Sequence, residues 1–443
     1  MRRFLPAIAA FALVFSSCSN VPKEGVVILP DDNGGYSLYI DGQKTQIYGI
    51  GGSNRLSDAS ENGANSFRSW GGNVERIKKD IEKAAANNMY IMQGIGLSHR
   101  HSDYLNDDYK NRLREEVRTL AETFKDDRNI LIWGIGNEIQ LDGANGEAEW
   151  TFVNELSEII KSIDKRHLTS TVISHSASAL DSIAKYAPSL DLIGINSYGN
   201  IAQLAEMVDN SDYKGAYLVT EWGPTGWWEC PRTEWGAPIE QTSEEKRQVY
   251  EKRYTQDIMK SNRCLGSYCF LWGQKEERTP TWFCMFVESN VEGLPLNGEK
   301  TPMVEAMQRV WTGREPDQTA PVVGGMTVNG KLAIDSPRVA KGQKFVSQIE
   351  ASDREGDSLS YVWELLWEAT KTAHGGAYEP RPDRVGECFT TNEPRLELSL
   401  NEVGNYRLYC YVLDGTGFVS TANVPFQVTD SRSKLPEVVL FAD

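Results

Sequence analysis

Between positions 26 and 45 apolar and polar residues alternate on either side of Asp41-Gly42, as in "YSLYIDGQKTQIYGI". A period of two across an Asp-Gly pair predicts a β-hairpin. The pattern then changes to short, nearly unbroken apolar runs separated by longer stretches with helical spacing. The runs are "QIYGIGG" near 46, "ANSFRSW" near 64, "MYIMQGIGL" near 89, "NILIWGIGNE" near 129, "HLTSTVISH" near 167, "LDLIGINSYG" near 190, "AYLVTEWG" near 216 and "CLGSYCFLWG" near 264. Between them, "NVERIKKDIEKAAANN", "DDYKNRLREEVRTLAETF", "WTFVNELSEIIKSID" and "SEEKRQVYEKRYTQDIMKS" carry apolar residues on one helical face and charges elsewhere. The link after the first run, "RLSDASENG", gives little helix signal. Eight alternations of this length predict an α/β fold, a (β/α)8 TIM barrel over residues 26–314 with the hairpin at its N-terminus. A doubly wound open sheet is the rival. It would carry a Gly-rich phosphate turn leading into a helix after its first strand, and "GIGGSN" does not lead into one.

A linker, "TGREPDQTAP", ends this regime. Beyond it come short alternating stretches without helices: "GGMTVNG", "KFVSQIEAS", "LSYVWELL", "RLELSL", "NYRLYCYVLD" and "FVSTANVPFQV". They predict a C-terminal β-sandwich over residues 318–430, followed by a tail at 431–443. The stretches "ASDREGDSLSYVWEL" and "YVLDGTGFVSTANVPFQV" resemble an immunoglobulin-like module of the polycystic-kidney-disease type. Asp353 and Asp357 are candidate calcium ligands there, but acidic turn residues are the simpler reading.

The first residues read as a processing signal. Arg2 and Arg3 precede "FLPAIAAFALVF", too short to span a bilayer but suited to a secretory segment, and small residues lead to Cys18 in "SSCSN". This resembles a bacterial lipoprotein signal. The resemblance implies cleavage after residue 17, a lipid on Cys18, a tether over 19–25, and anchoring in the cell envelope of a Gram-negative bacterium, on its surface or periplasmic face. Export permits disulfides. Cys388 and Cys410 are the pair expected to lie on strands of one small domain.

Composition narrows the partner. A formal net charge of -16 argues against nucleic acid, and a neutral ligand is easier to reconcile with it. There is no CxxC pair and there are only five His, a poor set for structural zinc, so neither metal nor cofactor is expected. The 12 Trp supply flat faces of the kind that stack on sugar rings, although many Trp residues in any protein are core.

In a (β/α)8 barrel the reacting groups sit at the C-terminal ends of strands. "ILIWGIGNEIQ" runs apolar to Gly136 and then places Asn137 and Glu138; "AYLVTEWG" ends on Glu221. These close the fourth and seventh runs, so both carboxylates point into one bowl. Strand alternation puts Glu138 on the side of Gly134 and Gly136, facing the barrel, with Trp133 and Ile135 toward the helices. Glu234 repeats "EWG" but follows "CPRT" and reads as loop. Two acids flanking a bond are what glycoside hydrolysis requires, one to protonate the leaving oxygen and one to attack or activate water. Trp222, Trp227, Trp228 and Trp235 crowd the loop beside Glu221, where sugar stacking and self-packing are the competing uses.

These motifs resemble the clan A retaining glycoside hydrolases, whose barrels carry Asn-Glu after strand four and a second Glu after strand seven. The resemblance implies Glu138 as acid/base, Glu221 as nucleophile, and Asn137 on the sugar 2-hydroxyl. By the same resemblance Arg68 in "SFRSW" hydrogen-bonds Glu221 and keeps it ionised, Tyr198 in "INSYG" orients it, and Trp272 in "FLWG" floors the reacting subsite. His99, His101 and His175, after strands three and five, are candidate substrate contacts. Over both domains the chain is similar to glycoside hydrolase family 158, two-domain endo-β-1,3-glucanases of gut Bacteroidetes. That implies a monomer acting on β-glucan oligo- or polysaccharide, touching a membrane only through its lipid. Another β-glycan such as mannan or mixed-linkage glucan, transfer to an acceptor sugar, and a non-catalytic glycan-binding lipoprotein are the alternatives.

Overall fold

A computed structural model describes residues 21–373 and 376–430. Cys18 with the signal segment, and the tail after 430, lie outside the described residues. At the start, β1 (Val26–Pro30), β2 (Tyr36–Ile40) and β3 (Gln43–Thr45) form an antiparallel sheet. The second turn holds Asp41 at φ 47° and Gly42 at φ 83°, the two left-handed residues of a type I′ hairpin. Val26, Leu38 and Ile40 pack into one cluster with Ile47, Leu168, Leu192 and Leu218, residues at the starts of later strands. The hairpin therefore plugs the N-terminal end of the barrel.

Eight parallel strands follow: β4 (Ile47–Gly51), β5 (Ser66–Ser69), β6 (Tyr90–Ile95), β7 (Ile130–Asn137), β8 (Leu168–Ser174), β9 (Leu192–Asn196), β10 (Tyr217–Trp222) and β11 (Cys264–Cys269). They close into a barrel, with β11 pairing back to β4. Each apolar run of the sequence contains one strand. Around them lie α1 (Leu56–Glu61), α2 (Val74–Ala86), α3 (His101–Tyr104), α4 (Asp107–Phe124), α5 (Glu147–Ile163), α6 (Ala177–Tyr186), α7 (Leu204–Asn210), α8 (Ser243–Lys252) and α9 (Pro302–Thr312). Local chemistry sets several helix starts. The Asn73 side chain accepts from the Arg76 N–H, Asn106 accepts from Asp108 and Tyr109, and Thr242 with Glu245 makes a capping box. The weak link after the first run does hold a helix, α1. It lacks a side-chain cap and its preceding residue, Arg55, is left-handed, so burial of Leu56 and Ala59 is what holds it.

Beyond α9 come β12 (Val322–Val323), β13 (Thr327–Val328), β14 (Arg338–Ala340), β15 (Lys344–Gln348), β16 (Ala351–Ser352), β17 (Ser360–Trp367), β18 (Phe389–Thr391), β19 (Arg395–Ser399), β20 (Gly404–Leu413) and β21 (Val419–Thr429). A five-stranded sheet in the order β14-β21-β20-β17-β18 faces a three-stranded one, β13-β15-β19, giving the immunoglobulin-like sandwich. The larger sheet is buried on both faces. Trp363, Leu408, Cys410 and Val412 point into the sandwich core, while Val362, Leu366, Tyr409 and Tyr411 pack on Val287, Leu294 and Leu296 of the barrel. This explains why β17 and β20 read as continuous apolar runs. It also corrects the expected disulfide: Cys410 lies in the inner core and Cys388 packs with the outer cluster, and both are free thiols. Asp353 Oδ1 accepts from the Gly356 and Asp357 N–H groups, the acidic-turn role. Among the described residues there is no group of side chains suited to a metal ion, and no helix is long and apolar enough to cross a membrane.

Candidate active site

The C-terminal strand ends surround an open cavity of about 750 Å³. Its hub is Arg68, at the end of β5 and only 2% exposed. Arg68 Nη1 donates to Glu221 Oε1 and to the Thr220 carbonyl, each at 2.9 Å, and Nη2 donates to Asn137 Oδ1 at 2.6 Å. Trp70 Nε1 donates to the same Glu221 oxygen at 2.8 Å, and the Tyr198 hydroxyl donates to Oε2 at 3.4 Å. Burial and the nearby Glu221 and Glu138 push the Tyr198 pKa well above its usual value, so it remains a donor. Three donors on two oxygens form the set that an anionic carboxylate takes.

Glu138 faces the same cavity under different conditions. Burial first, and the Glu221 charge second, push its pKa up to about 7, opposed by a hydrogen bond from Asn196 and by the Arg68 charge. Asn196, at the end of β9, is a pillar between the two acids. Its Oδ1 accepts from Thr220 Oγ1 at 2.8 Å, and its Nδ2 reaches Asn137 Oδ1 at 3.2 Å. With its oxygen taken by Arg68 and Asn196, Asn137 has its Nδ2 donor left to offer a sugar hydroxyl.

The route by which Glu138 reaches the cavity departs from simple alternation. The β7–β8 register shifts between Gly134 and Asn137, Gly136 has φ 82°, and Glu138 itself is left-handed at φ 51°. Trp133 and Ile135 do face the helices, Trp133 Nε1 donating to Asp164 at 2.9 Å. Glu138 is thus aimed inward by an irregular strand end, a conformation uncommon for any residue but Gly.

His175 and Trp228 also line the cavity. His175 bonds Ser197 Oγ at 2.9 Å, and burial lowers its pKa. Trp228, 48% exposed, lies roughly parallel to Phe283 with centroids 6.3 Å apart and meets the Tyr198 ring edge-on. Four expected contacts are not on the wall. Trp222, next to Glu221 on β10, points to the opposite face and packs against Tyr250 and Tyr254. Trp272 is fully buried on Phe286 and Trp311, because β11 closes at Cys269 and the chain has left the bowl three residues later; Phe270 takes the wall position. His99 sits 3.6 Å from Asp142 on the outside, and His101 pairs with Glu149.

Sequence reasoning passed over Trp70, Asn196, Glu277 and Phe283. Trp70 was legible, since it is two residues past Arg68 and shares its side. Asn196 follows the same rule at the end of "LIGIN". Glu277 and Phe283 lie in an aperiodic loop after β11, where no pattern signals them.

Paired carboxylates in unlike surroundings at the mouth of a (β/α)8 barrel are the constellation of glycoside hydrolysis, and the chain's similarities lie with glycosidases. It is similar to the probable mannan endo-1,4-beta-mannosidase A of Aspergillus clavatus, 23% identical over 169 residues, which is 37% of this chain and 43% of that protein. Among solved structures it is similar to a Bacteroides uniformis beta-glucuronidase, 14% identical with TM-score 0.46, covering 92% of this chain and 48% of that one. A glycosyl hydrolase family 2 member from Bacteroides cellulosilyticus is also 14% identical, with TM-score 0.43, covering 90% and 48%. The chain spans about half the length of the relatives it matches. No family model matches it.

Proposed function

We propose that the protein is a retaining glycoside hydrolase, with β-1,3-glucan cleaved internally as its substrate. The observation that carries the mechanism is the contrast between the two acids: Glu221 is surrounded by donors, while Glu138 is pushed up to about 7. Glu221 attacks the anomeric carbon as Glu138 gives its proton to the departing glycosidic oxygen, forming a glycosyl ester. Water then attacks that carbon, Glu138 takes its proton, and the ester bond breaks to return the Glu221 carboxylate. The cavity wall carries Glu138, Glu221, Glu229 and Glu277 against Lys275, a balance that favours a neutral glycan over an acidic one. The resemblance of the strand-end motifs and domain order to family 158 supports β-1,3-glucan. The stretch matched to a mannan-cleaving relative favours β-mannan as the second reading.

Glu138→Gln and Glu221→Gln should each lower hydrolysis of a laminarin-type glucan by at least about 10²-fold, and NMR of the first product should show the β-anomer. Wild-type rates in both variants would sink the assignment; an α-anomer first would sink retention. We further propose that a lipid on Cys18 anchors the mature chain in the envelope, supported by "SSCSN". Labelling with radioactive palmitate, lost in Cys18→Ala, is the check.

A further inference from the structure

We propose that a second cavity, at the seam between barrel and sandwich, is a distal subsite that binds neutral sugar units of a glycan whose scissile bond lies between Glu138 and Glu221. This rests on the glycosidase reading above and extends it to a place outside the catalytic bowl. The cavity measures about 730 Å³, within the ~300–1,000 Å³ range of ligand sites. The barrel supplies Trp227, Arg232 and Trp235, and the sandwich supplies Trp367, Asp383 and Asn405.

Trp227 makes the connection, because it lines both cavities. Its ring is braced by its neighbours, and the Trp228 ring meets it edge-on with centroids 5.4 Å apart. The Arg278 guanidinium lies 3.6 Å from the ring centroid, and the indole Nε1 donates to Glu277 at 2.8 Å. Glu277 faces the catalytic cavity and its neighbour Arg278 faces the second one. The proposed path of a sugar chain therefore runs from the first cavity past Trp227 into the second.

The walls suit uncharged rings. Trp367 is half-buried and rests on Tyr406, with centroids 4.3 Å apart and planes within 27°. Such a braced aromatic loses little freedom when it stacks on a ligand. Trp235 is also half-buried, beside the Arg338 guanidinium. Of the six ionic groups of the wall, three are paired, Arg278 to Glu379, Arg381 to Glu288 and Glu364, and Glu368 to Arg407, and a fourth, Arg232, donates to the Gly236 and Trp227 carbonyls. What remains for a ligand is aromatic surface with amide and hydroxyl groups, and Lys371 with Asp383, whose formal charges cancel, a wall suited to neutral sugar recognition.

The test uses the full chain carrying Glu221→Gln, so that ligand is not turned over. Calorimetry compares the hexamer and the dimer of β-1,3-linked glucose, and the same pair for β-1,4-linked mannose. Expected is tighter binding of one hexamer than of its dimer. Adding Trp235→Ala should weaken that hexamer by about five- to tenfold and its dimer by less than twofold. Thr370→Trp, at an exposed position on the cavity wall, should do the same by filling the space, and stands in if Trp235→Ala does not fold. The proposal is overturned if neither hexamer binds, if hexamer and dimer bind alike, or if the variants weaken both equally. Turnover of aryl β-glycosides by the parent chain, measured alongside, reports on the catalytic reading alone.

Discussion

Glu138 is where burial does most for chemistry. Its ordinary carboxyl pKa of 4.5 is lifted to about 7, chiefly by loss of water and then by the Glu221 charge. A proton held to that pH is what a general acid needs under neutral conditions. The consequence for rate has a definite sign: kcat/KM should fall as pH rises through about 7, because the acid form is lost. Stability moves the same way. The folded state keeps a proton that the unfolded chain releases, so between about 4.5 and 7 folding stability falls as pH rises. Glu138→Gln removes both effects. Its melting temperature should exceed that of the parent at pH 8 and match it more closely at pH 5, and its residual activity on dinitrophenyl glycosides, which need no acid, should lack the alkaline limb. A limb that persists in the variant would assign it to another group.

The elements show which parts of this arrangement were legible in the sequence. Strand order and the two strand-end acids followed from counting apolar runs, since a buried parallel strand leaves a continuous signature. Alternation also explains the misplaced tryptophans: Trp222 adjoins Glu221 and must face the other way, and Trp272 lies beyond the end of β11. What alternation does not contain is the irregular end of β7. Gly136 at φ 82° and the register shift after Gly134 aim Glu138, and neither has a periodic signal. The helix α1 was faint for a related reason, since tertiary burial rather than capping sustains it. A test at this scale is Gly136→Ala. The backbone there is left-handed, and an added Cβ would sit 3.1 Å from Leu97 Cδ1. Strain of about 1–3 kcal/mol is expected, read as a lower melting temperature, with a fall in kcat larger than any change in KM because Asn137 and Glu138 are displaced. Unchanged kcat would mean that the strand end tolerates another path.

Across the whole molecule the sandwich is part of the frame that carries the candidate site. Its larger sheet spends one face on its own core and the other on the barrel, and the seam between them is ionic and buried. Glu240 accepts from Lys246, Thr279 and, across the seam, Asn423 at 2.7 Å. Burial alone would raise its pKa, yet the Lys246 charge and the hydrogen bonds from Lys246 and Thr279 hold it below the ordinary value. Arg407 donates to the Pro238 carbonyl at 2.8 Å while paired with Glu368. Arg278, 8% exposed, is bound by Glu379 at both its side chain and, at 2.7 Å, its backbone N–H. The same Arg278 stacks on Trp227 at the edge of the catalytic cavity, so one contact couples domain docking to the site. Glu379→Ala would leave that guanidinium buried without its carboxylate, a change that costs about 3–5 kcal/mol. Calorimetry should show the parent unfolding in one transition, because neither domain can expose its share of the seam cheaply. In Glu379→Ala that transition should stay single and move down by several degrees, with KM for glycan raised as Trp227 loses its backing. Two transitions in the parent, or an unmoved one in the variant, would show the sandwich to be a passenger beside an independent barrel.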